Sequence, residues 1–422
     1  MTDKSKSKQI PSIKGTKDIL PDEVRKWQSV EFAAKKIFES FGYREIRTPV
    51  FEATELFEKG TGETSDIVIK EMYTFTDKGG RSLTLRPEYT PSVVRAIIEN
   101  RLNLKSQPMR FYFMGPMFRY DKPQKGRYRQ FHQIDIEVFG EEDPAIDAEI
   151  VQMADFFLKN LKVKDTKIIV NSVGCKKCRP TYLKKLRATA EKENRHFCEN
   201  CQRKITANPL RIFDCKIEDC RNTAKHFPKI TESLCAECEI HFQSFCSFLD
   251  LFGITYAIDP LLVRGIDYYT RTTFEIVTSK LGAQDAILGG GRYDEMMKDF
   301  GGPDICGIGF AMGMERLLDL VPWKEDKQEF VYVAYIGEKA KRAGMKLAKR
   351  IREGGKETLI EYRERSLKNQ MSRANKLEAS WVLIVGEEEV KNGKYQLKNM
   401  KSGEQIEEVE EHILEVLGDK NI

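Results

Sequence analysis

The 422-residue sequence predicts an α+β protein built from three modules. Three observations predict it. Residues 110–140 read RFYFMGPMFRYDKPQKGRYRQFHQIDIEVFG, two β-rich runs around a polar loop containing Pro and Gly, the pattern of a long hairpin. Residues 171–250 hold nine of the ten cysteines, eight of them in four close-set pairs, which marks a separate module. From Phe330 onward, β-like and helical stretches alternate, which implies a mixed sheet flanked by helices.

Composition narrows the function classes. Hydrophobic content of 41% with 32% charged residues fits a soluble globular protein, and the length suits two or three domains. The net charge is +5, and a Lys/Arg excess is concentrated in residues 171–240, which is compatible with nucleic-acid contact. No apolar run approaches a membrane span, and the opening MTDKSKSKQ has no signal-peptide core, so a cytoplasmic protein without membrane attachment is expected. In that reducing compartment the cysteines point to metal or free thiols before disulfides.

Taken in order, residues 1–9 are polar and expected to be disordered. Apolar residues at helical spacing predict a helix from Asp22 to Phe41, stopped by Gly42. A strand broken by Pro49 follows. Met72–Thr76 and Ser82–Leu85 form a hairpin, and helices are expected over 91–103 and 145–160, with a strand at Lys167–Val170. Strands return over 253–279, Gly289-Gly290-Gly291 is expected to turn, and a Gly-rich strand runs into a helix carrying Arg316. After a polar linker, PWKEDKQ, come strand 330–336, helix 338–352, strand 358–361, helix 367–376, strands 381–385 and 395–400, and a terminal helix over 404–417.

Two groups of residues suggest chemistry. Arg119, Arg127 and Arg129 sit at the base of the long hairpin, where guanidinium forks suit phosphate oxygens. Gln133, Asp135 and Glu137 are two apart and share one strand face, while Ile134, Ile136 and Val138 take the other. An acidic face beside arginines suggests a cationic or amine-bearing substrate next to a polyphosphate; a solvated hairpin is the plainer alternative. Glu88 and Thr90 follow a strand and precede a helix, placed either to hold an ammonium or merely to start the helix. The cysteines are spaced Cys175-x2-Cys178, Cys198-x2-Cys201, Cys215-x4-Cys220 and Cys235-x2-Cys238. The middle two pairs have zinc-ribbon spacing, and the outer two lie where a second structural site would staple the module; His196, His226 or His241 could replace a cysteine, and reduced thiols without metal are the alternative.

These stretches resemble the histidyl branch of the class II aminoacyl-tRNA synthetases. FRYDKPQKGRYRQFHQ is similar to that class's motif 2, the helix, strand and Pro49 to motif 1, and GIGFAMGMERL to motif 3. KGTKDILP, LRPEYT, LVRGIDYYTRTTFE and GGGRYD resemble signatures of the histidyl enzymes, which commonly have Gly where Tyr89 stands. The resemblance implies a class II antiparallel-sheet catalytic domain over 1–170 and 251–322, a Cys-rich insertion over 171–250, and an anticodon-binding α/β domain over 329–422. It also implies a homodimer that attaches L-histidine to tRNA(His) through a histidyl-adenylate, using ATP and Mg2+. Arg119, Arg264 and Arg316 would be catalytic, with Arg119, Arg127 and Arg316 binding ATP. Glu88, Thr90 and Gln133 would hold the α-ammonium, Glu137 and Tyr269 would read the imidazole, and Tyr293 would line the pocket. Gln124 and Arg129 would approach the tRNA acceptor end. Structural Zn2+ on the eight cysteines rests on spacing, since the family does not generally carry these pairs. Intact arginines in the catalytic motifs and a C-terminal domain weigh against two relatives lacking aminoacylation activity, a regulatory subunit of histidine biosynthesis and an uncharged-tRNA sensor.

Overall fold

The computed structural model describes residues 10–62, 65–123, 126–282, 285–324 and 329–418. The stretch 1–9, expected to be disordered, and Gln124 lie outside the described residues. The chain forms two compact units, Met1–Trp323 and Lys324–Ile422.

The first unit is organised by an eight-stranded sheet in the order Arg44–Glu45, Met109–Phe118, Gln130–Phe139, Gly307–Gly313, Ala286–Arg292, Thr270–Thr278, Thr166–Ser172, Tyr256–Ile258. The six central strands pair antiparallel, and the short outer strands add on in parallel at each edge. The long hairpin is continuous from Met109 opposite Phe139 to Phe118 opposite Gln130. Strand alternation then sorts the side chains. Ile134, Ile136 and Val138 enter the main core with Trp27, Val30 and Phe38 of helix Pro21–Ser40 and with Ile150 and Phe157 of helix Pro144–Asn160. A separate three-stranded sheet, Phe51–Ala53, Ser82–Leu85 and Tyr73–Thr76, carries the chain toward Glu88.

Three expectations need correction. Gly289-Gly290-Gly291 is not a turn: it lies inside strand Ala286–Arg292, because its missing Cβ atoms make room for neighbours on both faces. The segment with zinc-ribbon spacing is helical, with Glu199–Ala207 and Glu218–Ala224 around a small core of Leu186, Phe197, Ile205, Ile212 and Phe227. The last stretch does not begin as a helix: Gln405–Val409 pairs as an edge strand before helix Glu410–Gly418, its alternation masked by a run of glutamates. The cysteine-rich module also ends differently in space than in sequence. Helix Ala236–Leu251 starts among its cysteines, yet Phe245 and Leu249 belong to the main core.

The second unit has a mixed five-stranded sheet, Thr358–Ile360, Val331–Tyr335, Trp381–Val385, Lys394–Asn399, Gln405–Val409. Its first three strands are parallel, and one apolar cluster covers each face.

Candidate active site

Gln133, Asp135 and Glu137 form the floor of a cavity of about 420 Å³ on the sheet face away from the main core. Glu88 and Thr90 line it from the start of helix Thr90–Glu99, and Arg119 and Arg127 from the mouth of the hairpin. Arg264, Tyr268 and Tyr269 reach it from the loop before strand Thr270–Thr278, Tyr293 from beyond the glycine strand, and Arg316 from helix Met314–Leu320. Ten predicted residues from six separate stretches of chain therefore share one cavity.

One end is acidic. Glu88, Asp135 and Glu137 are buried, and burial pushes each carboxyl above the ordinary carboxylate range. Glu88 adds to the shift at Asp135, and both add to it at Glu137, because like charges crowd one another. Thr90 Oγ1 donates to Glu137 Oε1 at 2.5 Å, the Tyr293 hydroxyl donates to Glu137 Oε2, and the Tyr268 hydroxyl donates to Glu88 Oε2 at 3.0 Å. Gln133 Oε1 and Asp135 Oδ1 are buried acceptors without a partner among the described residues. Burial pushes the Tyr269 phenol up to about 12, which keeps it a neutral donor. Such a surface suits a ligand with several N–H donors and positive charge. Gly309 permits it, because a Cβ there would strike Ile136 O and Glu137 Oε2. Tyr89, standing where the family commonly has Gly, has ordinary backbone angles (φ −103°, ψ −36°), stacks on Phe113 at 3.5 Å and donates to Ile46 O at 2.7 Å.

The other end is basic. Arg119 is aimed by its Nε bond to Pro87 O, 2.8 Å, and lies over the Phe131 ring at 5.3 Å. Arg127 pairs with Asp121 at 2.8 Å, and Arg264 pairs with Glu275. Arg316 donates to Gly126 O at 3.2 Å and to Ala286 O at 3.0 Å. Burial lowers the Arg316 pKa, and the guanidiniums of Arg127, Arg119 and Arg264 lower it further. Four positive groups thus act on one region, as a polyphosphate site requires.

Some residues fall elsewhere. Arg129 does not line the cavity: its guanidinium lies 4.0 Å over the Tyr120 ring, and its backbone N–H donates to Gly15 O at 2.7 Å. Arg292 of GGGRYD is fully buried and structural, bonded to Asp147 at 2.8 Å and to Glu141 O at 3.0 Å. The cavity also takes in residues beyond those ten. Alternation places Asp135 on the floor, and Tyr268 adjoins Tyr269, so both had a local signal. Arg211, Asp214 and Lys216 come from the cysteine-rich module and had none.

The eight paired cysteines gather as Cys175, Cys178, Cys235 and Cys238, and as Cys198, Cys201, Cys215 and Cys220. Within each group the sulfurs lie within 4.8 Å of one another, and three separations in the first are 3.8, 3.8 and 3.9 Å. Tetrahedral Zn–S bonds of about 2.3 Å imply sulfur separations of about 3.8 Å, so the first group has the right size. Backbone N–H groups donate to sulfur at 3.2 Å (Cys175 to Cys178) and 3.3 Å (Cys198 to Cys220), which favours thiolates. Both groups fit a four-coordinate soft metal ion.

Comparison with known proteins agrees with this geometry. A family model described as Histidyl-tRNA synthetase matches residues 15–317, and one described as Anticodon binding domain matches residues 330–418. The chain is 48% identical over 403 residues to the histidine–tRNA ligase of Halothermothrix orenii, covering 94% of this chain and 96% of that relative. It is 48% identical to the Desulforamulus reducens histidine–tRNA ligase over 93% of this chain and 95% of that one. The crystal structure of apo S. aureus histidyl-tRNA synthetase matches with a TM-score of 0.83 at 35% identity, over 97% of this chain and 100% of that chain.

Proposed function

Because this chain belongs to the histidyl-tRNA synthetase family, we infer that it attaches L-histidine to tRNA(His) at the expense of ATP, through a histidyl-adenylate. The observation that carries this reading is the cavity's two poles, three buried carboxyls at one end and four arginines at the other.

The histidine carboxylate attacks the ATP α-phosphorus in line and pyrophosphate leaves; a tRNA ribose hydroxyl then attacks the acyl carbon, the acyl–phosphate bond breaks and AMP leaves. Such phosphoryl transfer needs positioning and charge neutralisation more than a protein nucleophile. On this reading Arg119 and Arg264 act on the α-phosphate, and Arg127 and Arg316 on the nucleotide and outer phosphates. Glu88, Thr90 and Gln133 hold the α-ammonium. Glu137 and Tyr269 satisfy the two imidazole nitrogens, with Tyr293 lining the pocket and fixing Glu137. An analogue lacking those nitrogens leaves buried polar groups unpaired, which costs about 1–3 kcal/mol per group. Mg2+ would accompany ATP and help neutralise its phosphate charge.

The same reading assigns residues 1–170 and 251–322 to the catalytic domain, 171–250 to the insertion and 329–422 to anticodon binding. Arg129 and Gln124 would contact the acceptor end. The protein is a cytoplasmic homodimer; no helix among the described residues is long and apolar enough to cross a membrane. Cys175, Cys178, Cys235 and Cys238 would hold one Zn2+, and Cys198, Cys201, Cys215 and Cys220 a second. With all positions filled by protein sulfur, zinc there supplies stability and no open coordination site.

Charging of a tRNA(His) transcript with labelled histidine tests the function. Histidine should accumulate on the tRNA in an ATP-dependent reaction, and charging by a different amino acid instead would overturn the assignment.

A further inference from the structure

Asn208, Arg211 and Asp214 lie between the Cys198/Cys201 and Cys215/Cys220 pairs, and Lys216 follows Cys215. Helix Glu199–Ala207 and the turn Pro209–Ile212 carry this stretch, and Ile212 is anchored in the module's core with Cys201 and Cys220. Arg211 is only 6% exposed, so it is not a solvated surface charge. Its Nε donates to Asp267 Oδ1 at 2.9 Å and its Nη2 to Gly265 O at 2.8 Å. Asn208 Nδ2 donates to the same Asp267 oxygen at 2.7 Å.

Gly265 and Asp267 belong to the loop that presents Arg264 to the basic end of the cavity and Tyr268 and Tyr269 to the acidic end. That loop lies between strands Tyr256–Ile258 and Thr270–Thr278 and has no sheet ladder of its own. The first cysteine group reaches it too: Arg179, next to Cys178, donates to Tyr269 O and, at 3.1 Å each, to Val173 O and Gly174 O. Each four-cysteine group therefore sends one arginine to the same loop.

We propose that the cysteine-rich module is a wall of the adenylating site: Arg211 is a positioning residue that holds the Arg264–Tyr269 loop, and a metal ion on Cys198, Cys201, Cys215 and Cys220 fixes the segment from which it does so. This rests on the adenylation and zinc readings above. It differs from a module that serves only to contact tRNA, because its effect is felt with no tRNA present.

The test uses the full-length protein carrying Arg211→Ala, Arg211→Lys, Asp267→Asn, Arg211→Ala with Asp267→Asn, or Cys215→Ser with Cys220→Ser. Histidine-dependent ATP–pyrophosphate exchange without tRNA, tRNA affinity, zinc content and hydrogen exchange at residues 264–269 are measured on each. R211A should lose on the order of 100-fold in kcat/KM for pyrophosphate exchange, the scale of an ångström-sized misplacement, while tRNA affinity stays unchanged. R211K should recover part of it, because an ammonium keeps the charge but cannot span both acceptors. Adding D267N to R211A should cost little more, since both act through one contact. The paired cysteine variant should lose one zinc equivalent and resemble R211A, with hydrogen exchange raised at 264–269 but not in the central sheet. Unchanged pyrophosphate exchange and loop protection in R211A would overturn the positioning role, and R211K decides in the same way if R211A does not fold. Loss of zinc with full activity would overturn the metal's part. If the unaltered chain shows no histidine-dependent pyrophosphate exchange, the functional reading fails, while hydrogen exchange at the loop still decides whether Arg211 holds it.

Discussion

Asp135 is a buried carboxyl that costs the fold stability. It is buried, lies beside Glu88, and has an oxygen without a partner among the described residues. Its folded-state pKa is raised above the unfolded value. Below the ordinary carboxylate range both states hold the proton and Asp135 has no effect. As pH rises past that range, the unfolded chain releases its proton readily and the folded chain does not, so stability is lost progressively. Asp135→Asn should therefore melt like the parent at low pH and increasingly above it toward neutrality. A gap of a few degrees is expected, since ~1 kcal/mol moves the midpoint of a 150–250-residue domain by about 2–4 °C. Histidine activation should fall in the same variant. Melting curves across pH check the first claim, and equal midpoints throughout would refute it. At this scale much was legible: Glu88, Arg119, Gln133 and Glu137 stand in quotable motifs, and all line the cavity. Arg211 was not legible, because its partners Gly265 and Asp267 lie more than fifty residues away and nothing local distinguishes it.

At the scale of elements, alternation did most of the predictive work. A period of two along Gln130–Phe139 separates the floor of the site from the core, and the structure keeps that separation. The glycine strand was misread because glycine's usual signal is a turn, whereas here it relieves crowding. The first two of these positions differ in a testable way. A Cβ at Gly289 would overlap the Arg264 guanidinium, a movable end of a side chain. A Cβ at Gly290 would strike the backbone oxygen of Gly309 and approach Phe274 Cζ to 2.6 Å, neither of which can move freely. Gly289→Ala should thus fold with a near-parental melting temperature and lose adenylation. Gly290→Ala should lose stability by overpacking, typically about 1–3 kcal/mol. Melting and pyrophosphate exchange on the two variants separate these outcomes, and equal loss of stability in both would contradict the account. The terminal strand Gln405–Val409 was missed for the opposite reason: glutamates on an exposed edge resemble a helix start.

Across the whole molecule, the cysteine pairs and the alternating β and α periodicity after residue 329 are the sequence features that suggest separate modules. Helix Ala236–Leu251 links two of these regions, since it begins beside Cys235 and contributes Phe245 and Leu249 to the main core. In the first unit one cavity brings together an end rich in buried carboxyls and an end rich in arginines. The most direct measurement is amino-acid-dependent ATP–pyrophosphate exchange, with histidine and every other standard amino acid offered in turn. Pyrophosphate exchange is expected with histidine alone. No exchange with any amino acid in folded protein, or equal exchange with an amino acid lacking the imidazole nitrogens, would contradict it.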